Sequence, residues 1–322
     1  MSASGSMRAI IAALLANIGI AITKFIAAAI SGSASMLAEA IHSVADSGNQ
    51  FLLIIGGRRS RRAATASHPF GYGRSRYIYA FMVSIVLFSI GGMFSLFEGF
   101  SKLSEPHELE NAWLPLVVLG VSIVLESFSL RTALHEAKKM RGKSSLIKFI
   151  RHAKSPELPV VMLEDIAALI GLVFAFAGVS LTVITHNPIF DAYGTLAIGA
   201  LLIAVAVILG IETSSLLVGE GASADDTALI RDALEVVVGK GGVIHMKTLY
   251  LGPDELMLGA KISVAKAATG AEIAEAIDAA EESVRNAVPA TRVIYLEPDI
   301  KRASPRKKPS AAKSTPARGR QK

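Results

Sequence analysis

The chain has 322 residues, no cysteine, 52% hydrophobic and 19% charged residues, and a formal net charge of +6. These figures exclude a disordered chain and a secreted module held by disulfides. The charged fraction is below the roughly 25% of soluble domains, which indicates a membrane protein with a soluble part. The basic excess does not indicate a nucleic-acid partner. From Asp299 onward there are nine Lys and Arg against one acid, and the rest of the chain carries 24 basic and 26 acidic residues.

Six apolar stretches are each long enough for a membrane-spanning helix, which needs about 20 residues. In chain order, the six predicted spans run over Ala9 to Ile30, Ala34 to Gly57, Tyr77 to Phe97, Trp113 to Leu130, Leu158 to Ile184 and Phe190 to Ile211. The first is interpreted as a retained helix rather than a signal peptide, because it contains Lys24 and another span follows at once. The predicted fold class is therefore an α-helical membrane protein with six transmembrane helices.

Lys and Arg are concentrated in two of the connecting loops, which is typical of loops on the cytoplasmic side. Both loops and both termini are therefore expected in the cytoplasm, and the expected location is multi-pass in a bacterial inner membrane. The basic residues are Arg58, Arg59, Arg61, Arg62, Arg74 and Arg76 in the loop after the second span, and Arg131, Lys138, Lys139, Arg141, Lys143, Lys148, Arg151 and Lys154 in the loop after the fourth.

A soluble domain is predicted after the sixth span, with elements in the order αββαβ. Thr269 and Glu272 form a capping-box pattern at its second helix. This order predicts a small α+β domain with helices on one face of a mixed sheet. The predicted domains are the membrane part over 1–217, the cytoplasmic part over 218–298, and a basic tail over 299–322 whose composition predicts disorder. The elements are helices over Asp225 to Val238 and Gly270 to Val288, and strands over Val243 to Leu251, Leu256 to Val264 and Arg292 to Leu296.

The second predicted span carries a stripe of four polar residues. Glu39, His42, Asp46 and Asn49 follow one another at intervals of three, four and three, which places them on one face of a helix. A charged side chain at mid-membrane costs at least about 2.5 kcal/mol, so such residues indicate function. His42 and Asp46, four residues apart, have the spacing by which one helix presents two ligands to one metal ion.

The other spans add fewer ionisable residues. Glu164 and Asp165 are neighbours in the fifth span and diverge by about 100°, so one is expected to face the stripe and the other a loop or the cytoplasmic mouth. Lys24 is interpreted as a residue that snorkels or pairs with a carboxylate. Glu126 in the fourth span is left open between a pairing role and a place on the ion pathway.

The residue types in these spans narrow the ligand to a metal. Imidazole with two carboxylates suits Zn²⁺, Fe²⁺, Co²⁺ or Mn²⁺, and the absence of Cys disfavours a dedicated Cu(I) site. No cofactor is predicted, because the metal is the transported species. The predicted metal-site residues are His42, Asp46, Asp165, Glu164, Asn49 and Glu39.

Several short motifs along the chain occur together. They are Asn17 with Lys24, Ser31-Gly32-Ser33, Glu39-Ala40-Ile41-His42-Ser43-Val44-Ala45-Asp46, His68-Pro69-Phe70-Gly71-Tyr72-Gly73 and Leu163-Glu164-Asp165. In these motifs the sequence resembles the cation diffusion facilitator family of proton-coupled divalent-metal exporters, in a subgroup with His-x3-Asp in the second span and Glu-Asp in the fifth. The resemblance implies a six-helix membrane domain, a ferredoxin-like cytoplasmic domain, a homodimer and contact with membrane lipid.

The resemblance also implies a transport site made from His42, Asp46 and Asp165. Val161 stands where the family has its other fifth-span ligand, so the fourth ligand is expected to be water, Asn49, Asn17 or Glu164. Tyr295 stands where the family usually has a His, so the cytoplasmic domain is expected to bind regulatory metal weakly or not at all.

The predicted function is proton-coupled efflux of a divalent metal, Zn²⁺ first and Fe²⁺, Mn²⁺ or Co²⁺ as alternatives. A membrane metal binder or sensor that does not transport is the second hypothesis. An intramembrane metalloprotease is the third and is disfavoured, because the sequence lacks a His-Glu-x-x-His helix. The protein is therefore not expected to be an enzyme.

Overall fold

The computed structural model describes residues 3–301 other than 107, 110, 112, 142–144, 147–149 and 151–152. Side chains are described from residue 17 onward, apart from those at 136 and 139–141. Three residues of the predicted second basic loop, Lys143, Lys148 and Arg151, lie outside the described residues. So does the predicted basic tail beyond residue 301.

Each of the six predicted apolar stretches forms one helix, and most of these helices extend beyond the apolar run. The extension is expected because backbone hydrogen bonding continues into polar sequence that still favours helix. The helices are α1 over Ala3–Ser31, α2 over Ala34–Ser60, α3 over Ser75–Ser104, α4 over Trp113–Arg141, α5 over Glu157–Thr185 and α6 over Ile189–Val218.

Within the described residues, four of these helices are long and apolar enough to cross a membrane. They are α3, α4 over Trp113–His135, α5 and α6. The apolar part of α1 with described side chains is the shorter segment Asn17–Ser31, and α2 carries the polar stripe, which lowers its hydropathy. The part of the chain that the structure describes is therefore helical with four apolar helices able to span a bilayer, and the count of six spans stays a prediction.

A tight turn joins α1 to α2. Gly32 has φ of 64°, a left-handed conformation that glycine adopts without strain, and it reverses the chain direction between the helices. Ser33 then caps α2, since its side chain accepts a hydrogen bond from the backbone N–H of Met36. At the other end of α2, Arg58 and Arg59 occupy the last turn, where cations interact favourably with the helix dipole.

Small residues let α6 pack closely against α3 and α5. A Cβ added at Gly199 of α6 would lie 2.8 Å from the side chain of Leu96 in α3. A Cβ at Gly178 of α5 would lie 2.9 Å from the carbonyl oxygen of Phe190 in α6. The middle of α3, Leu87–Met93, is π-helical, a local widening of the helix that often marks functional sites.

The C-terminal part forms a small two-layer domain with the predicted αββαβ order. Strand β1 pairs antiparallel with β2, and β2 pairs parallel with β3, so the sheet is mixed as predicted. The capping box at α8 is confirmed, and the hydrogen bond from the Thr269 backbone lowers the pKa of the Glu272 carboxyl. The elements are α7 over Ala224–Val238, β1 over Val243–Gly252, β2 over Glu255–Ser263, α8 over Gly270–Ala287 and β3 over Thr291–Asp299.

The C-terminal domain contacts the helical bundle at the end where the basic loops lie. Arg76, at the start of α3, forms ion pairs with Glu157 of α5 at 2.5 Å and with Asp254 of the C-terminal domain at 3.0 Å. Lys154, in the loop before α5, pairs with Glu220, which follows α6. Both basic loops therefore lie at the same end of the bundle as this domain, and the turn between α1 and α2 lies at the opposite end.

Candidate metal site in the helical bundle

The polar stripe of α2 lies inside the bundle. Glu39, His42 and Asn49 are buried, and Asp46 is largely buried, with 22% of its side chain exposed. The predicted spacing therefore does place the four residues on one inward face of the helix. This face is lined by α1, α3 and α5.

The end of the stripe nearest the α1–α2 turn is an ion pair. Lys24 of α1 donates hydrogen bonds to Glu39 Oε2 at 3.0 Å and to Ser43 Oγ at 2.8 Å, with all three residues buried. This geometry confirms the interpretation that Lys24 pairs with a carboxylate and excludes snorkelling. The second oxygen, Glu39 Oε1, lies 2.7 Å from where a Cβ on Gly171 of α5 would be, so the glycine makes room for it.

The middle of the stripe presents an imidazole beside a carboxylate. His42 Nδ1 lies 3.6 Å from Asp46 Oδ1, which is beyond hydrogen-bond distance. Neither ring nitrogen of His42 nor Asp46 Oδ1 has a hydrogen-bond partner within the described part of the chain. Gly91, in the π-helical part of α3, approaches the ring, because a Cβ there would lie 4.0 Å from His42 Nδ1. The two side chains thus keep lone pairs available for a ligand.

The end of the stripe nearest the C-terminal domain reaches α5 through an amide. Asn49 Nδ2 donates to Glu164 Oε1 at 2.7 Å. The neighbouring carboxylate, Asp165, points elsewhere and accepts a hydrogen bond from Ser129 Oγ of α4 at 3.1 Å. The predicted divergence of these two acids is confirmed. Glu164 faces the stripe, whereas Asp165 faces α4 rather than a loop.

Asp165 and Glu126 nevertheless belong to the electrostatic environment of the stripe. Both carboxylates lie close enough to Asp46 to interact with its charge. Sequence reasoning treated Glu126 as an isolated charge and missed Ser129. The signal was present, because Ser122, Glu126 and Ser129 follow one another at intervals of four and three, the same helical-face spacing as in α2.

The predicted ligands do not all converge. Among residues 3–301, with the gaps given above, no group of three His, Asp or Glu side chains is close enough to hold one ion. The structure brings His42 together with Asp46, and Asn49 together with Glu164. It leaves Asp165 bonded to α4 and Glu39 bonded to α1.

The loop between α2 and α3 is closed by its own contacts. The rings of His68 and Tyr72 stack with centroids 4.5 Å apart, and the Tyr72 hydroxyl lies 3.4 Å from Thr65 Oγ1. The backbone of Thr65 pairs with that of His68. His68 is thus engaged in ring stacking and local hydrogen bonds.

Several known proteins are similar in sequence to most of this chain. The mitochondrial proton-coupled zinc antiporter SLC30A9 of Xenopus laevis is 32% identical over 241 residues, which cover 74% of this chain and 43% of that protein. Its human counterpart is 32% identical over the same length, with 42% of that protein covered. Metal tolerance protein C4 of Arabidopsis thaliana is 31% identical over 259 residues, 80% of this chain and 57% of that protein. The chain thus spans about half the length of these relatives.

A family model described as the cation efflux transmembrane domain matches residues 10–218. The match covers most of the chain and all six helices of the bundle, including the stripe of α2 and the two acids of α5. The members of this family are transporters and not enzymes. The chain belongs to the cation efflux family, also called the cation diffusion facilitators.

Proposed function

We propose that this protein carries a divalent transition metal, Zn²⁺ before Fe²⁺, Mn²⁺ or Co²⁺, out of the cytoplasm in exchange for protons. The observation that carries the proposal is the buried pair of His42 and Asp46, whose facing atoms lack hydrogen-bond partners within the described residues. A buried polar atom without a partner costs free energy, which a bound cation offsets. The names of the relatives, proton-coupled zinc antiporters, support the same substrate and coupling.

The ligands in this proposal are His42, Asp46 and Asp165. The two carboxylates balance the charge of a divalent ion, and the imidazole favours a transition metal over Mg²⁺ or Ca²⁺. Asp165 reaches the ion when it leaves Ser129, so metal binding draws α5 towards α2. Water, Asn49, Asn17 or Glu164 supplies the fourth ligand, because Val161 is apolar.

Glu39 lies beside the proposed metal site, on the side nearer the α1–α2 turn. Its ion pair with Lys24 keeps it close to electrically neutral, with one oxygen still available towards α5. An ion that leaves His42 towards the α1–α2 turn therefore passes an acid whose charge is already compensated, which weakens its hold on the ion. We infer that Glu39 assists passage and does not bind the ion tightly.

Charge movement makes exchange for protons favourable. Export of a divalent cation against about 100 mV, negative inside, costs about 4.6 kcal/mol, because each charge contributes about 2.3 kcal/mol. One entering proton returns half of this and about 1.4 kcal/mol more for each unit of pH gradient. An imidazole suits the exchange since it binds either a proton or a metal near neutral pH. We infer that His42 takes the proton as the metal leaves.

The wider architecture follows from the same proposal. All six helices cross the membrane, both termini lie in the cytoplasm, and the membrane is a proton-energised one such as the bacterial inner membrane. The membrane part covers 1–217 and a ferredoxin-like domain that pairs two copies covers 218–298. The position of both basic loops beside the C-terminal domain supports this topology.

Flux measurements on purified protein test the proposal. The protein is reconstituted into proteoliposomes, and Zn²⁺ and Mn²⁺ movement is followed under an imposed pH gradient. The double variant Asp46→Asn with Asp165→Asn is expected to abolish flux. Glu98→Gln neutralises an acid of α3 outside the stripe and is the matched control, expected to transport like the parent. Undiminished flux in the double variant contradicts the ligand assignment.

A second function, metal binding without transport, is favoured by one observation. Val161, which cannot bind metal, stands where the family resemblance places a fifth-span ligand. A sensor or scaffold of this kind binds Zn²⁺ stoichiometrically in detergent yet moves none under a gradient. Binding without flux in the parent protein therefore supports the sensor, and gradient-dependent flux excludes it.

A further inference from the structure

A buried carboxylate of α6 holds the first turn of α2. Asp191 is fully buried, and its Oδ2 accepts a hydrogen bond from the backbone N–H of Ala34 at 2.7 Å. Its Oδ1 accepts from Ser33 Oγ at 2.8 Å and from both the backbone N–H, at 3.3 Å, and the hydroxyl of Ser35. Both oxygens of one carboxylate are therefore occupied by donors at the start of α2.

A second buried charge holds the same turn from α3. Lys102 Nζ donates to the carbonyl oxygen of Gly32 at 2.8 Å, and only 8% of the lysine is exposed. Helices α3 and α6 pack closely at Gly99, since a Cβ there would lie 2.8 Å from the Leu196 side chain. The start of α2 and the turn before it are thus hydrogen-bonded to both members of a closely packed helix pair, α3 and α6.

These contacts lie at the end of the polar stripe, along the same face of α2. Ser35 precedes Glu39 by four residues and His42 by seven, so it continues the stripe on the same face of α2 towards the α1–α2 turn. Ser35 and Asp191 are fully buried. An ion that moves along the stripe away from the C-terminal domain therefore meets a layer of hydrogen-bonded, solvent-excluded groups.

The hydrogen bonds in this layer, between the Asp191 carboxylate and the first turn of α2, are expected to be strong. The first N–H groups of a helix lack partners within the helix, and the helix dipole favours an anion beside them. Hydrogen bonds to a carboxylate are shorter and stronger than those between neutral groups. An amide at the same position keeps one acceptor oxygen, whereas its NH₂ opposes the donors of α2.

We propose that Asp191 is a positioning residue of the transport cycle, whose hydrogen bonds to the first turn of α2 close the exit of the stripe at the end opposite the C-terminal domain. Metal is released at that end when these bonds break and α2 moves away from α3 and α6. The proposal rests on the function proposed above for the direction of transport. It concerns access to the stripe, however, and access is measurable without transport.

Thiol labelling measures that access directly, because the chain has no cysteine of its own. The reporter is Ala38→Cys, at a buried position one turn before His42 on the same face. The full chain is reconstituted in sealed vesicles of defined orientation, and a membrane-impermeant thiol reagent is added on the side opposite the C-terminal domain. Asp191→Asn in the reporter background is expected to raise the labelling rate about tenfold, the effect of losing roughly one charge-assisted hydrogen bond.

Thr195→Val is the matched control. Thr195 is buried one turn further along α6, and its hydroxyl bonds to the backbone carbonyl of Asp191, not to the carboxylate. Its labelling rate is expected to match that of the reporter alone. Ser35→Ala removes the hydroxyl donor to Asp191 and the 3.2 Å contact with Ser33 Oγ, and it keeps the backbone donor. It gives a milder test, with a rise of about threefold expected, should the Asn variant not fold.

The outcomes separate the closure from the proposed function. A rise in labelling with Zn²⁺ binding retained within about twofold supports the closure. Unchanged labelling in both Asp191→Asn and Ser35→Ala overturns it, and so does an equal rise in Thr195→Val, which indicates general loosening of the bundle. Absence of Zn²⁺ flux in the parent protein contradicts the proposed function and leaves the labelling comparison intact.

Discussion

The two halves of the α2 polar face both lie inside the bundle and differ in how their polar groups are satisfied. In the half that begins at the α1–α2 turn, Ser33 and Ser35 are hydrogen-bonded to Asp191, and Glu39 is paired with Lys24. In the other half, both ring nitrogens of His42 and the facing oxygen Oδ1 of Asp46 lack hydrogen-bond partners within the described residues. One helix thus carries a structural half and a ligand-binding half.

The difference teaches that burial alone does not identify a functional polar residue in a helical bundle. A buried charge with a partner contributes to the fold, whereas a buried group without a partner destabilises it unless a ligand binds. Glu39 lies at the boundary, with one oxygen bonded to Lys24 and the other beside Gly171. The comparison predicts opposite mutational behaviour on its two sides.

The largest effect is expected from Lys24→Met, which leaves the buried Glu39 without its counter-charge. Removal of one member of a buried ion pair costs about 3–5 kcal/mol, so the free energy of unfolding should fall by about that amount. Equilibrium unfolding of the full chain in mixed micelles measures it. The double variant Lys24→Met with Glu39→Gln is the control and should recover most of the loss. A stable single variant contradicts a structural role for the pair.

The reverse pattern is expected from Asp46→Asn in the ligand-binding half. Zn²⁺ flux should fall at least about a hundredfold, equivalent to roughly 2.7 kcal/mol, because a charged ligand is lost. The free energy of unfolding should stay the same or rise, since a largely buried carboxylate with one unpartnered oxygen is replaced by a neutral amide. Flux assays and micelle unfolding on one preparation measure both. A loss of stability as large as that of Lys24→Met would remove the distinction between the halves.

A smaller effect is expected from Gly171→Ala, which tests the boundary at Glu39. The added Cβ would lie 2.7 Å from Glu39 Oε1, so the carboxylate or α5 must shift, at a cost of about 1–3 kcal/mol. Gly120→Ala in α4 is the matched control, because a Cβ there meets nothing within 4 Å. In a helix interior that change should stabilise by about 0.5–1 kcal/mol. Equal unfolding free energies for the two variants would contradict the tight fit at Glu39.

The sequence predicts those features that depend on periodicity along one helix. The stripe of α2, the divergence of Glu164 and Asp165, and the pairing of Lys24 with a carboxylate all follow from residue spacing and charge. The same reasoning predicts the αββαβ order of the C-terminal domain, where alternation and capping residues are local signals.

Features that depend on contacts between helices are not predicted from the sequence. Asp191 follows Ser33 by 158 residues, so their contact arises only when α6 packs beside α2. Ser129 finds Asp165 for the same reason. The π-helical segment that brings Gly91 close to His42 has no residue pattern that would predict it, because such widening results from packing and not from residue propensity.

The smallest effect is the expected difference between Ser33→Ala and Thr269→Ala, which separates the helix cap of Ser33 from its contacts with other helices. Ser33 caps α2 and also donates to Asp191, whereas Thr269 caps α8 and bonds only within its own capping box. Loss of a cap costs about 1 kcal/mol, so Thr269→Ala should cost this much locally and Ser33→Ala about twice as much.

Hydrogen exchange of the amides in the first turn of each helix measures the two local stabilities in the full chain. Because both substitutions delete one cap, the difference between them reports the tertiary bond of Ser33 to Asp191 together with its contact with Ser35. Zn²⁺ binding should be unchanged in both variants, since neither side chain touches His42 or Asp46. Equal losses at the two helices would show that the cap alone stabilises the start of α2. The structural half would then consist of the ion pair between Lys24 and Glu39 and would not include the contact with Asp191.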